Sequence, residues 1–245
     1  MMKNYREKIY KSYSSNSGKS LAPESIAGLS SREAFYKNIL NNFFPARRDI
    51  KILEIGCGYG SFQYFINAAG YTNSLGIDDS EEQVSEAHRL GIKNVTLGNL
   101  VAYLKDLENN SLDILIAIDV IEHFTKEELS DLIDDFYRVL KEDGLVITHQ
   151  PNAEGIFGNG IRYGDFTHEL AFTRRSISQI FCSSEFKDVQ SFEDKPIAHG
   201  LKSFIRLFLW NYFVRPVYKI LLSVESGAVD KDIIFSQNFL TVIRK

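Results

Sequence analysis

From Ile50 onward the chain alternates between short runs rich in β-branched residues and longer stretches in which apolar positions recur every three or four residues. That alternation predicts a parallel sheet covered by helices on both faces. The short runs place strands at residues 51–55, 74–77, 95–97, 112–118 and 145–149, with a sixth near 189–192 and a last near 235–243. Between the fourth and fifth, Leu129, Leu132, Ile133, Phe136 and Leu140 form one apolar stripe at helical spacing. Thr125 with Glu128 and Ser80 with Gln83 have the spacing of capping boxes, and Gly144 is expected to end the striped helix. Residues 1–48 read as a cap of one or two helices, the second opening at Ser30 and Glu33, laid over a domain formed by 49–245. After the fifth strand a loop over 151–172 is rich in glycine and aromatics, and a loop of that length in a compact domain is usually functional. A helix is expected over 173–181, and a helical insertion over 201–224 precedes the last strand.

The composition adds limits to this picture. The chain has 245 residues, 44% of them apolar and 24% charged, which excludes disorder and leaves ample material for a core. With Lys and Arg at 28 against Asp and Glu at 32, the net charge of −4 offers no footprint for nucleic acid. The insertion is the exception, because Lys202, Arg206, Arg215 and Lys219 lie in a strongly apolar, aromatic segment that holds no acid. Those cations and Pro216 argue against a transmembrane helix and leave three alternatives: packing on the domain, pairing in a homodimer, or lying on anionic lipid. No continuous apolar stretch follows the first residues, so export through a signal sequence is not expected. Cys57 and Cys182 are expected to be reduced and buried. These features suit the cytoplasm or the inner face of a membrane.

The most informative stretch is E-I-G-C-G-Y-G over residues 54–60, where a buried strand runs into a glycine-rich turn that opens a helix. Glycines admit positive φ and a close ligand approach, and ligands of open α/β sheets bind beyond the carboxyl ends of the strands. The third glycine falls at Gly60, where the dinucleotide fingerprint would need one at position 61, so a nucleoside without a pyrophosphate fits better. Asp78 ends the second strand, where a carboxylate can accept both hydroxyls of a ribose.

This pattern, with G-I-D-D over 76–79, resembles the class I S-adenosylmethionine-dependent methyltransferases. The resemblance implies a Rossmann-like α/β sheet of seven mostly parallel strands, the last antiparallel. It implies S-adenosyl-L-methionine as cofactor, with Gly56, Gly58 and Gly60 along its methionine part, Asp78 at the ribose, and Glu54, Cys57 and Asp79 among the cofactor-binding residues. Asn99 and Leu100 would flank the adenine, with Asp119 at the fourth strand's end. Asn99 departs from the family's more usual Asp.

Methyl transfer to a hydroxyl needs a base, so titratable groups at the carboxyl end of the sheet are the candidates. His149 lies at the end of the fifth strand, where it either catalyses or ties down the loop. His168 stands in Y-G-D-F-T-H-E with Asp165 and Glu169, either as base or substrate contact or as a staple for the helix that follows. Glu122 and His123 read as organisers of the loop, and no metal is expected. The blocks P-N-A-E-G over 151–155 and Y-G-D-F-T-H-E over 163–169 resemble a bacterial subgroup associated with surface polysaccharide. That implies O-methylation of a sugar, on which Tyr163, Phe166 and Phe172 would stack or else form the loop's own core. A quinone-like or other small-molecule acceptor is the alternative enzyme reading, and a cofactor-binding interaction module without turnover is the reading of another class. Tyr5, Tyr10 and Tyr13 either close over the cofactor or pack the first helix down.

Overall fold

In the computed structural model, which describes residues 5–10 and 22–245, seven strands form one sheet. They are β1 (Ile52–Ile55), β2 (Ser74–Asp78), β3 (Val95–Leu97), β4 (Leu112–Ile118), β5 (Leu140–Pro151), β6 (Asp188–Glu193) and β7 (Asn238–Arg244). Their order is β3-β2-β1-β4-β5-β7-β6. The first five pair in parallel, and β7 runs antiparallel to both β5 and β6. The chain therefore starts at the centre of the sheet, winds outward one way through β3, then returns to wind the other way from β4.

The helices are α1 (Tyr5–Tyr10), α2 (Glu33–Phe43), α3 (Ser61–Ala68), α4 (Glu81–Arg89), α5 (Leu100–Asp106) and α6 (Lys126–Val139). They continue as α7 (Asn159–Arg162), α8 (Arg174–Ser183), α9 (Leu201–Leu209) and α10 (Arg215–Ser226), the last two joined by a π-helical turn over Trp210–Val214. Side chains alternate between the faces of a strand, and β4 shows what that does. Leu115 and Ala117 enter a core with Leu104, Phe136 and Phe181 of α5, α6 and α8. Ile114, Ile116 and Ile118 enter the opposite core with Tyr36, Phe62 and Val84 of α2, α3 and α4. A strand buried on both faces reads as a continuous apolar run, and that is its signature in the sequence.

Thr125 and Glu128 form the expected box, the Glu128 amide donating to Thr125 Oγ1 at 3.3 Å and the Thr125 amide to Glu128 Oε2 at 2.9 Å. Ser80 accepts from the Gln83 amide at 3.4 Å. Three expectations need correction. The Ser30 and Glu33 pair caps nothing, because a 3-10 turn over Ile26–Arg32 runs through Ser30 and delivers Arg32 as the first residue before α2. Gly144 does not end α6, which stops at Val139. Leu140 is already extended and begins β5, and a Cβ at Gly144 would lie 2.8 Å from the Lys141 carbonyl, so glycine serves a tight irregularity inside the strand. Cys182 is exposed on α8, while Cys57 is buried as expected.

Candidate active site

At the ends of β1 and β2 one carboxylate organises the backbone. Asp78 Oδ2 accepts from the Gly58 amide at 2.7 Å and Asp78 Oδ1 from the Ser80 amide at 2.9 Å. Gly56, Gly58 and Gly60 all have positive φ, at 60°, 54° and 74°. Their surroundings differ. A Cβ at Gly56 would meet Val120 Cγ2 at 2.5 Å and one at Gly60 would meet Val95 Cγ2 at 2.7 Å, whereas at Gly58 the nearest atom is Gln83 Oε1 at 3.8 Å. Gly60 is thus glycine for packing, and Gly58 for the open space beside it.

That space is a cavity of about 420 Å³ whose wall includes Gly56, Gly58, Asp78, Asp79, Asn99, Leu100 and Asp119. Seven of the ten expected cofactor residues therefore line one cavity. The other three stand behind it. Glu54 is buried and accepts from Gln63 Nε2 at 2.8 Å, burial pushing its carboxyl up to about 8. The Cys57 thiol packs where a Gly76 side chain would be, 2.7 Å from that missing Cβ. Gly60 opens α3 against Val95. Ser80, Gln83 and Val101 also line the cavity, and the sequence had offered Ser80 and Gln83 only as a cap. A nucleoside fits this wall: each Asp78 oxygen holds one amide and keeps a lone pair for a hydroxyl. Asn99 spends its side-chain oxygen on the Ala102 amide at 2.9 Å, capping α5.

The ends of β4 and β5 carry an ion pair. Asp119, a non-glycine residue at φ 56°, puts Oδ1 2.5 Å from His149 Nδ1, and His149 Nε2 lies 3.4 Å from Asp194 Oδ2. The Arg32 guanidinium stands 3.7 Å from the other Asp119 oxygen. Burial alone would favour a neutral imidazole, but the charge and hydrogen bond of Asp119, with Asp194, push His149 up to about 10. Held toward its protonated form, the His149 ring is disposed to tie Asp119 and Asp194 together rather than to take a proton.

The loop over 151–172 returns to β4 when the Glu169 and Leu170 amides donate to the Glu122 carbonyl at 2.9 and 3.0 Å. This brings Glu122, His123 and His168 together, each with a potential ligand atom, all within 4.8 Å of one another. Among the described residues this is the group that could hold a metal ion. His123 lines the cavity. Thr167 Oγ1 donates to Asp165 Oδ1 at 2.6 Å and lies 2.9 Å from His123 Nδ1; with Nδ1 as the donor there, the ring's lone pair is on Nε2. Burial first, and then His168, lower His123 to about 4, so the ring is neutral at pH 7. Burial and the Asp119 charge raise Glu122 well above the carboxylate range, and its Oε2 is buried without a hydrogen-bond partner among the described residues. His168 donates from Nδ1 to the Ile161 carbonyl at 3.1 Å and is not on the cavity wall.

Asp165 and Glu169, expected near the chemistry, are used by the loop: Asp165 also accepts from the Thr167 amide at 2.8 Å, and Glu169 accepts from the Tyr5 phenol. The expected stacking platform is not assembled. Phe172 is buried in the core, while Tyr163 and Phe166 are 72% and 81% exposed and off the cavity wall. Phe166 meets Tyr5 edge-on at 5.8 Å. Arg6 lines the cavity and donates to both Glu128 oxygens at 2.9 and 3.0 Å, and to the His123 carbonyl at 3.1 Å. Tyr5 and Arg6 thus strap α1 over the mouth. The Tyr10 side chain and Tyr13 lie outside the described residues.

This sheet order, with one reversed strand and a glycine turn held by an acid at the end of β2, is the fold of the class I S-adenosylmethionine-dependent methyltransferases. Residues 53–148 match the family described as a methyltransferase domain. Among solved structures, an S-adenosylmethionine-dependent methyltransferase from Archaeoglobus fulgidus superposes with TM-score 0.65 at 22% identity, over 87% of this chain and 94% of that one. The phosphoethanolamine N-methyltransferase 2 of Haemonchus contortus in complex with S-adenosyl-L-methionine gives 0.56 at 18% identity, over 89% and 56%. Methoxy mycolic acid synthase MmaA3 of Mycobacterium tuberculosis is 26% identical over 149 residues, 58% of this chain. Sterol 24-C-methyltransferase erg-4 of Neurospora crassa is 27% identical over 123 residues, 46% of this chain. The matched segments span 50% and 32% of those two relatives.

Two outcomes are expected. Gly60→Ala adds both left-handed strain and a 2.7 Å contact, so chemical denaturation should show it losing about 2–4 kcal/mol, while Gly91→Ala, with positive φ and open space, loses only about 1–2 kcal/mol. Equal losses would contradict the packing role. For His149, a folded pKa raised from 6.5 to about 10 means stabilisation that is complete below the unfolded value and drains away as pH rises through about 10. The melting temperature should fall between about pH 7 and pH 10 more steeply in the native chain than in His149→Gln; parallel curves would refute the imidazolium.

Proposed function

We propose that the chain transfers a methyl group from S-adenosyl-L-methionine to a hydroxyl of a sugar, with His123 as the base. The observation that carries this reading is the neutral His123 ring on the wall of the same cavity that Gly58 and Asp78 shape, its lone pair directed to Nε2 by Thr167. When bound, the cofactor supplies a methyl group already activated on a sulfonium. Asp78 holds the nucleoside hydroxyls, and Asp165 fixes Thr167 and through it the tautomer of His123. Nε2 then takes the proton of the acceptor hydroxyl as its oxygen attacks. Arg6 and Tyr5 keep α1 across the mouth and limit water. A polar rim of Arg6, Asp119, His123 and Glu128 suits a polyhydroxylated acceptor, in line with the loop's resemblance to the polysaccharide-associated subgroup.

A lipophilic acceptor is the second reading. It is favoured by relatives named for mycolic acid and sterol, and by a second cavity of about 490 Å³ walled by Phe35, Ile39, Phe43, Phe192 and Leu207.

Transfer of labelled methyl to sugar and quinone-like acceptors, with calorimetry against S-adenosylhomocysteine, chooses among the readings. Label on the sugar supports the first, label on the lipophile alone replaces it with the second, and binding without any transfer leaves an interaction module. In the productive assay His123→Ala should lower kcat by about 100-fold or more with unchanged S-adenosylhomocysteine affinity. A base lowered to about 4 is already unprotonated at pH 5, so kcat/KM should rise through about pH 4 and stay level to about pH 8. A limb near pH 6.5 that survives His123→Ala would assign the base elsewhere. Turnover abolished by EDTA and restored by a divalent metal would make Glu122, His123 and His168 ligands instead.

A further inference from the structure

Residues 201–226 form one uninterrupted helical rod, α9 passing through the π turn into α10. Its inward positions step through Ser203, Leu207, Trp210, Val214, Tyr218 and Leu222, all buried or half-buried. Trp210 Nε1 donates to Glu193 Oε2 at 3.2 Å, Arg215 lies 3.5 Å from the same carboxylate, and the Tyr218 ring meets Phe235 at 6.0 Å. Those five inward steps take about one residue more than five α-helical turns would. The π turn, just before Pro216, absorbs the extra residue, so the same face stays on the domain along the whole rod.

The opposite face is therefore also continuous, and it is apolar. Phe204, Phe208, Tyr212, Val217, Leu221 and Val224 follow one another at three- to five-residue steps and are 46% to 82% exposed. Exposed apolar surface of this extent marks an interaction site. Lys202 and Arg206 are exposed near one end of the stripe and Lys219 is half-exposed near the other, while Arg215 is turned in toward Glu193. Residues 201–224 contain no carboxylate, although the whole chain is net negative at −4. No helix among the described residues is long and apolar enough to cross a membrane.

We propose that this outward face of the rod docks on the surface of an anionic lipid bilayer, with the rod lying in the headgroup plane. The charge pattern selects this occupant. An in-plane helix places its apolar stripe at the acyl boundary and its flanking cations among lipid phosphates. A second copy of the chain laid on the same face would bring the same cations, with only Glu225, at the far end of the rod, as a carboxylate among residues 201–226 to meet them. The inference is independent of the methyl-transfer reading, since neither Gly58, Asp78 nor His123 enters it.

The test uses the full chain and two sets of vesicles, phosphatidylcholine alone and phosphatidylcholine mixed with phosphatidylglycerol. The native chain should co-sediment with the mixed vesicles at least about tenfold more strongly than with neutral ones, and lose most of that preference in high salt. The double change Phe204→Ser with Phe208→Ser should abolish binding to both. Lys202→Glu with Arg206→Glu should abolish the preference for the anionic set. Calorimetry with S-adenosylhomocysteine, unchanged in both variants, shows that they fold. The proposal fails if the native chain stays in the supernatant with mixed vesicles, or binds both sets equally. It fails too if sedimentation analysis shows a dimer that Phe204→Ser with Phe208→Ser converts to monomer, because the stripe then belongs to a second copy.

Discussion

The arrangement rests on what Asp78 does with its two oxygens. By holding the Gly58 and Ser80 amides it joins the turn after β1 to the turn after β2, and charge-assisted bonds of that kind are among the stronger ones available. The glycine turn can then sit in left-handed backbone without wandering, and α3 and α4 start from fixed points. The same carboxylate lines the cavity, so the fold and the candidate site share one group. Burial raises its pKa despite the two amides. In physical terms, the charged form is less well solvated in the fold than in water, and donors arriving with a nucleoside replace part of that loss. A carboxylate whose burial the protein does not fully compensate, on a cavity wall, is a candidate for ligand contact.

Two imidazoles a few residues beyond show how environment assigns opposite roles to one side-chain type. His149 is drawn between Asp119 and Asp194 and keeps its proton; His123 is buried beside another histidine and gives its proton up. The first stabilises the strained backbone of Asp119 at the end of β4 and steadies the cavity wall. The second presents a lone pair. Separation of pKa values between neighbouring groups is how a single site divides structural and proton-transfer work.

Much of this was legible in the sequence because it is local. The doubly buried strands read as apolar runs, Thr125 and Glu128 sit at capping distance, and the glycines adjoin their strand. What was not legible depends on pairing across the chain. The role of His149 is decided by the parallel register that sets it beside Ile118, next to Asp119 and 30 residues away in sequence. His123 becomes a site residue only when the loop folds back onto the Glu122 carbonyl and delivers Thr167. Phe172 looks like its exposed loop neighbours, yet its amide donates to the Pro151 carbonyl at 3.0 Å, which pulls the ring into the core. The Ser30 and Glu33 pair failed for the converse reason: the spacing was right, but the preceding 3-10 turn had already consumed Ser30 and left Arg32 in the capping position before α2.

The end of β6 connects the rod to the cavity. Glu193 accepts from Trp210, lies beside Arg215 and accepts from the Phe235 amide at 3.0 Å, so it anchors the rod and the approach to β7 together. Asp194, the next residue, reaches His149, which in turn holds Asp119 in the cavity wall. Adjacent residues of an extended chain point to opposite sides, and here one side carries the outer helix while the other carries the site. The rod is thus not a loosely tethered appendage. Whatever covers its apolar face is held close to the cavity, because the rod is fastened to Glu193 and the cavity wall, through His149, to the adjacent Asp194.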